Sequence, residues 1–295
     1  MNNRTALIIY NEIDIPKNIW FINHLKNCLS DNNVDSMLIT TAEFYHQNDN
    51  FLTNADFIIN RSRDYEISLF FENNGIRSFN SSEIIRIAND KDLTYKHLSE
   101  HNISFLPYIT IPTEFILDAS NDIILSVACE FGFPFVFKPA EGHGGAHVYL
   151  VSNQDEFIEI INNINFEINS KSLSYKKFLI QKPSNTLGKD LRVYILNNNI
   201  YASILRSSSK DFRANFSLGG ATEEYKLSEH EIAQVNEIIK HMPSDLCGID
   251  FVYNSKEIII NEVEDAVGTR MLYSNTSFDI VNDYVKYIIK QIKKP

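Results

Sequence analysis

The stretch EIIINEVEDAVG, residues 257–268, constrains the fold more than any other part of the chain. An apolar run that reads as a buried strand leads straight into Glu262, Glu264 and Asp265. A buried carboxylate is costly unless a cation meets it. Strand side chains alternate, so Glu262 and Glu264 share one face. Asp265 takes the other and reads as a turn residue. Upstream, CGIDFVY (247–253) is followed by NSKE, a turn that folds it back antiparallel. That pairing sets Asp250 nearly opposite Glu262. Like charges in direct opposition repel and raise one another's pKa. Hard divalent cations, bound through carboxylates and substrate phosphates, relieve both effects. The plainer alternative is an exposed acidic edge strand, but IIIN and CGID are too apolar for a free edge.

A second hairpin repeats the geometry. DLRVYIL (190–196) and IYASILR (200–206) flank Asn197-Asn198-Asn199, a tight turn. Asp190 and Arg192 share a face, and Arg206 falls nearly opposite Asp190. KDFRANFSLGG then adds Lys210, Arg213 and Asn215. A cross-strand ion pair accounts for Asp190 alone. The whole set, with arginines suited to bidentate phosphate or carboxylate contact, describes a site of both signs. A third element is FPFVFK followed by PAEGHGGAH. Lys138 ends a buried strand, and Gly142, Gly144 and Gly145 let backbone N–H groups converge on an anion. No GK[ST] closes the loop, so it is not a Walker P-loop. A hairpin with a glycine turn and a snorkelling lysine is the bland alternative. His143 and His147 read as loop residues.

The rest of the chain supplies a frame. TALIIY, VDSMLIT and ADFIINR alternate with helical stretches, which implies an α/β segment with a parallel sheet over residues 1–112. Residues 113–183 hold the glycine loop, and 184–295 hold both charged hairpins, a helix at 227–242 with a Ser228/Glu231 capping box, and a final amphipathic helix at 278–293. The last two segments have no flexible linker between them. Cys28, Cys129 and Cys247 lack metal spacing and read as thiols in a reducing cytoplasm. The N-terminus does not read as a signal peptide, and no apolar run reaches a membrane span. A net charge of -11 argues against nucleic-acid and anionic-membrane partners.

Taken in order, NDK (89–91), FVFKPAEGHGG, FLIQK, KDLRVYIL, ILRSSSKDFRANFSLGG, CGIDF and NEVEDAVG resemble the ATP-grasp superfamily, and most of all its RimK-type amino-acid ligases. The resemblance covers about residues 80–268. It implies an α/β (α+β) fold with an N-terminal α/β domain and two α+β subdomains clasping ATP. It implies that Lys91 and Lys138 contact the ATP phosphates under a lid running from Glu141 to Gly145. Gln181 and Lys182 lie at the adenine, and Asp190 lies near the nucleotide. Arg206, Arg213 and Asn215 hold the γ-phosphate or an acyl phosphate. Asp250, Glu262 and Glu264 ligate Mg²⁺, two ions being typical and Mn²⁺ a substitute. Glu264 departs from the family's usual Asn and adds a negative charge. Lys182 stands where an acid is usual, and Val267-Gly268 where Pro-Gly is usual.

The implied reaction activates a carboxylate as an acyl phosphate and passes it to an amine. An ATP-binding module without ligation, or transfer to a thiol or hydroxyl, stays open. Arg192, Arg270, Arg61 and Arg63 are candidate readers of a substrate carboxylate. The acceptor, whether protein, peptide, amino acid or amino sugar, is open, as is a homo-oligomeric state.

Overall fold

The computed structural model describes residues 4–52, 55–117, 122–209, 211–214, 220–255 and 257–292. Its first layer is a parallel sheet of β1 (Arg4–Tyr10), β2 (Val34–Thr40), β3 (Phe57–Asn60) and β4 (Arg77–Phe79), in the order β2-β1-β3-β4. Alternation along β1 divides its side chains between two cores. Ala6, Ile8 and Tyr10 pack against α1 (Ile15–Asp31), while Leu7 and Ile9 meet α2 (Thr41–Leu52) and α3 (Tyr65–Asn73) on the other face. A parallel sheet buried on both faces needs such continuous apolar strands.

After α4 (Ser82–Ala88) and α5 (Lys91–Ser99), an antiparallel sheet has the order β5-β8-β6-β7. Its strands are β5 (Tyr108–Pro112), β6 (Phe135–Pro139), β7 (Tyr149–Val151) and β8 (Lys177–Gln181). α6 (Thr113–Leu117), α7 (Asp122–Phe131) and α8 (Gln154–Asn169) cover one face, over Phe135, Phe137, Phe178 and Ile180. The opposite parity on β6 therefore turns Val136 and Lys138 away from that core and into a cavity. β5, which the sequence reading set at the end of the first segment, instead pairs with β8 along Tyr108–Pro112 and stands with this second sheet.

The third sheet, order β11-β10-β9-β12-β13, is antiparallel. It contains β9 (Lys189–Leu196), β10 (Asn199–Ser207), β11 (Ala221–Glu224), β12 (Leu246–Asn254) and β13 (Glu257–Glu264). The β9–β10 turn has Asn197 and Asn198 at positive φ, 52° and 59°, the signature of a hairpin turn matched to strand twist. α9 (Glu229–His241) opens with both halves of the Ser228/Glu231 capping box and covers one face, over Leu191, Val193, Ile249 and Phe251. The other face is covered at one end by α10 (Arg270–Asn275) and α11 (Ile280–Ile292). α11 also packs on α1, so the last helix joins the first and third sheets in one core.

Asp92 fastens α5 to the second sheet. It is buried and accepts from Lys177 Nζ at 2.6 Å, Lys96 Nζ at 2.9 Å and the Thr110 hydroxyl at 2.9 Å. Burial alone would raise its pKa, but the bonds from Lys177 and Lys96 prevail and hold it at about 2. Asp92→Ala should therefore cost roughly 1–2 kcal/mol in denaturant unfolding, because the bonds that join α5 to Lys177 and Thr110 are lost while Lys177 keeps Asp90. The sign follows from a depressed folded-state pKa. The contribution is full above the ordinary value of 3.8 and is lost as pH falls through about 2. The variant's stability should lack that acid limb.

Candidate active site

The third sheet carries charge at one end of a face and apolar side chains at the other. Along β9 the same parity gives Asp190, Arg192, Tyr194 and Leu196. Tyr194 and Leu196 sit under the helices, whereas Asp190 and Arg192 emerge beyond them. The register places Asp190 opposite Arg206, and Asp250 opposite both Arg192 and Glu262. Arg192 grips Asp250 with two bonds, Nε–Oδ1 at 2.7 Å and Nη2–Oδ2 at 2.6 Å, and reaches Glu264 at 2.8 Å. Arg206 spans Asp190 and, at 2.8 Å, Asp250. All of Arg192, Arg206 and Asp250 are buried. In this structure, then, guanidinium groups meet the acids of β12 and β13.

Strict alternation fails at one point on β13. Asp250 pairs with Glu262 but Phe251 pairs with Ile260, so Asn261 is an extra residue in a β-bulge. Ile258, Ile260 and Val263 stay in the core, while Asn261 and Glu262 both reach the site. Asn261 Oδ1 accepts from Lys138 Nζ at 3.0 Å, and its carbonyl accepts from the Tyr95 hydroxyl. Sequence reasoning missed Asn261 and Tyr95, because a bulge leaves no mark in a polar residue that ends an apolar run. Lys91, first residue of α5, bonds Glu262 at 3.0 Å and the Gly142 carbonyl at 2.7 Å. Its own backbone N–H donates to the Ala140 carbonyl, which ties the start of α5 to the end of β6.

Two cavities meet at this wall. One, about 820 Å³, is lined by Leu106, Val136 and Val252 together with Lys91, Lys138 and Lys189. The other, about 1650 Å³, opens between the first sheet's loops and the glycine loop, along Arg63, Arg192, Arg206 and Arg270. Glu262 and Gly142 line both. Gly142 has no substitute there, since a Cβ would stand 2.5 Å from Pro139 Cγ.

The remaining predicted residues fall as follows. Gly145, Gln181, Lys182, Asp190 and Arg213 line the smaller cavity. Glu141 and Gly144 line the larger one, and Glu141 lies 3.9 Å from Lys176 Nζ, away from the lysine pair. Lys182 spends its backbone N–H on the Pro107 carbonyl, and its ammonium bonds the carbonyls of Phe131 and Gly132. Only its carbonyl side is left toward the cavity. Arg213 stands apart from Arg206, paired with Asp211 and donating to the Gly145 carbonyl at 2.8 Å. Asn215 and Lys210 lie outside the described residues. Arg192 serves as a counter-ion to Asp250 and Glu264 while still lining the larger cavity. Arg61 is likewise held, by the Tyr10 hydroxyl and the Val267 carbonyl, both at 2.8 Å. Arg63 pairs with Asp14, while Arg270 is exposed at the rim of the larger cleft. Asp265, read as a turn residue, is buried against Asn89.

A family model described as a RimK-like ATP-grasp domain matches residues 88–288. The chain belongs to this family. It is 31% identical over 282 residues to the Mycoplasma pneumoniae homologue of protein MG011, covering 92% of this chain and 87% of that one. It is 27% identical to the glutamate–LysW ligase ArgX of Sulfolobus acidocaldarius, over 75% of this chain and 76% of the relative. The fold matches the ATP-complexed D-alanine–D-alanine ligase of Bacillus anthracis at a TM-score of 0.74, covering 98% of this chain and 97% of that one at 17% identity. ATP-grasp ligases use ATP and Mg²⁺ generally.

The donor set of this ATP-grasp chain suits such ions. Asp250, Glu262 and Glu264 offer oxygens within 4.8 Å of one another, with no sulfur or imidazole among them. Arg192 and Arg206 hold Asp250 far below the usual carboxylate range, against the opposing effect of burial. Glu262 is also lowered, Lys91 overcoming its burial, while burial raises Glu264. Asp190 is pushed up to about 6 by burial despite Arg206. Lys138 falls to about 7, mainly through burial and then through the charge of Lys91. A polyphosphate placed at the lysines would reverse that shift. At pH 8, ATP binding should therefore take up close to one proton more in the wild type than in Lys138→Met. Calorimetry in buffers of different ionisation enthalpy measures it.

Proposed function

We propose that the chain is an ADP-forming carboxylate–amine ligase, dependent on ATP and Mg²⁺, that activates a carboxylate as an acyl phosphate and joins it to an amine. One observation carries the reading: the acidic wall at Glu262 is shared by a cavity lined by both apolar side chains and lysines, and by a larger open cleft with arginines on its walls. The smaller cavity suits a nucleotide, its base among Leu106, Val136 and Val252 and its phosphates at Lys91 and Lys138. The larger suits the carboxylate and amine substrates. Phosphoryl transfer between them needs positioning and charge neutralisation rather than a protein nucleophile.

Asp250, Glu262 and Glu264 would hold the metal, two ions in the fullest reading and Mn²⁺ in place of Mg²⁺. The ions supply charge neutralisation at the phosphate oxygens. Arg206, at the larger cleft, would stabilise the transferred phosphoryl group. Arg213 would act through the glycine loop, which it already grips at Gly145, and Asn215 belongs to the same set. The loop from Glu141 to Gly145 would shield the acyl phosphate from water. Gln181, Lys182 and Asp190 would line the nucleotide. Arg270 remains a candidate for reading a substrate carboxylate. Nothing in the reading requires a membrane or a nucleic acid, and it fits a cytoplasmic enzyme.

A screen for ADP release over amino acids, peptides and amines tests the proposal. Release should require a carboxylate and an amine together with Mg²⁺. Nucleotide binding without turnover across the panel would instead mark a non-ligating module. Two substitutions separate chemistry from fold. Glu262→Gln should cut turnover by roughly 1000-fold while keeping the fold, with a stability loss on the order of 1 kcal/mol from the weakened bond to Lys91. Asp250→Asn should also lower stability by roughly 3 kcal/mol, because Arg192 and Arg206 lose the anion between them.

A further inference from the structure

α5 presents its first residue, Lys91, to the acidic wall, and its far end carries a different cluster. His97 lies in its last turn, and Glu100 and His101 follow directly where the chain leaves the helix. A donor atom of each lies within 4.8 Å of the others. Neither the His101 ring nor the Glu100 carboxylate has a hydrogen-bond or ion-pair partner among the described residues. Glu100 is exposed and His101 half-buried.

The environment of His97 is the second observation. Its Nε2 lies 2.8 Å from the carbonyl of His241, the last residue of α9. A carbonyl only accepts, so Nε2 carries the proton and Nδ1 carries the lone pair. Metal-binding histidines are oriented in this manner, with the other ring N–H given to a carbonyl or carboxylate. The His241 ring stacks on His101 with centroids 3.7 Å apart, and its own Nε2 lies 3.0 Å from Glu237. That stack holds the His101 ring against the end of α9.

We propose that His97, Glu100 and His101 bind a divalent transition-metal ion, zinc by their ligand chemistry, at a site separate from the acidic wall. Two imidazoles and one carboxylate without a thiolate form a borderline donor set. It favours zinc over Mg²⁺, whereas the all-oxygen wall is of the kind that suits Mg²⁺. Water would complete the tetrahedron. Because His97 is fixed to α9, the ion would brace the last turn of α5 at the point where the chain leaves for the second sheet.

The test is calorimetric titration of the full chain with zinc chloride in excess Mg²⁺, which occupies the acidic wall. One saturable zinc site per chain is expected. Its affinity should fall on the order of 100-fold in His101→Ala and in Glu100→Gln, and should be unchanged in Glu262→Gln. Cobalt in place of zinc should show tetrahedral ligand-field absorption that His101→Ala abolishes. His97→Ala is a poorer probe, since it also uncaps α9. The absence of saturable binding would overturn the proposal. So would binding that survives both His101→Ala and Glu100→Gln, or that disappears in Glu262→Gln.

Discussion

The carboxylate of Asp250, held by Arg192 on one side and Arg206 on the other, is the interaction on which the site depends. Three charged groups buried on one sheet face are tolerable only as a hydrogen-bonded set. Their bonds cross β9, β10 and β12, so they also lock the register of those strands. A slip of one residue on any of them would turn its charge into the core beneath α9. The knot thus has two consequences. It fixes where the acids of β13 stand, and it leaves Glu262 and Glu264 less fully neutralised than Asp250. Each of those two faces one cation in direct contact, Lys91 and Arg192 respectively. An incoming ion therefore finds its most available oxygens on β13.

α5 couples this knot to the second sheet. Lys91 touches Glu262 and the glycine loop, Asp92 holds β5 and β8 through Thr110 and Lys177, and the Tyr95 hydroxyl joins Gln181 to the bulge at Asn261. Consecutive turns of one helix thus address both walls of the smaller cavity. Lys138 reaches the same bulge from β6. The low pKa of that lysine marks a buried cation short of an anion, whereas Glu262 already has its counter-charge in Lys91.

Much of this was legible in the sequence because it follows from parity. Alternation and a short turn sufficed to bring Asp250 within one residue of Glu262, and Asp190 within one residue of Arg206, with a bulge in each hairpin completing the register. The paired asparagines at 197 and 198, the Ser228/Glu231 box and the parallel first sheet follow equally local rules. What was not legible depended on events parity does not encode. The bulge at Asn261 adds a residue to one strand and brings a side chain into the site. The pairing of Arg192 with Asp250 is set by which strand becomes the neighbour of β9, a long-range choice. Lys182 points back to the end of α7 because carbonyls there lack partners. β5 looked like the close of the first segment and proved to be a strand of the second sheet.

The most direct measurement is a crystal structure with Mn²⁺ and a non-hydrolysable ATP analogue, with anomalous scattering recorded for manganese. The account predicts anomalous density bridging Asp250, Glu262 and Glu264 to the analogue's phosphates. Those phosphates should lie against Lys91 and Lys138, and the base among Leu106, Val136 and Val252. Manganese absent from that wall, or an analogue bound with its phosphates away from both lysines, would contradict it.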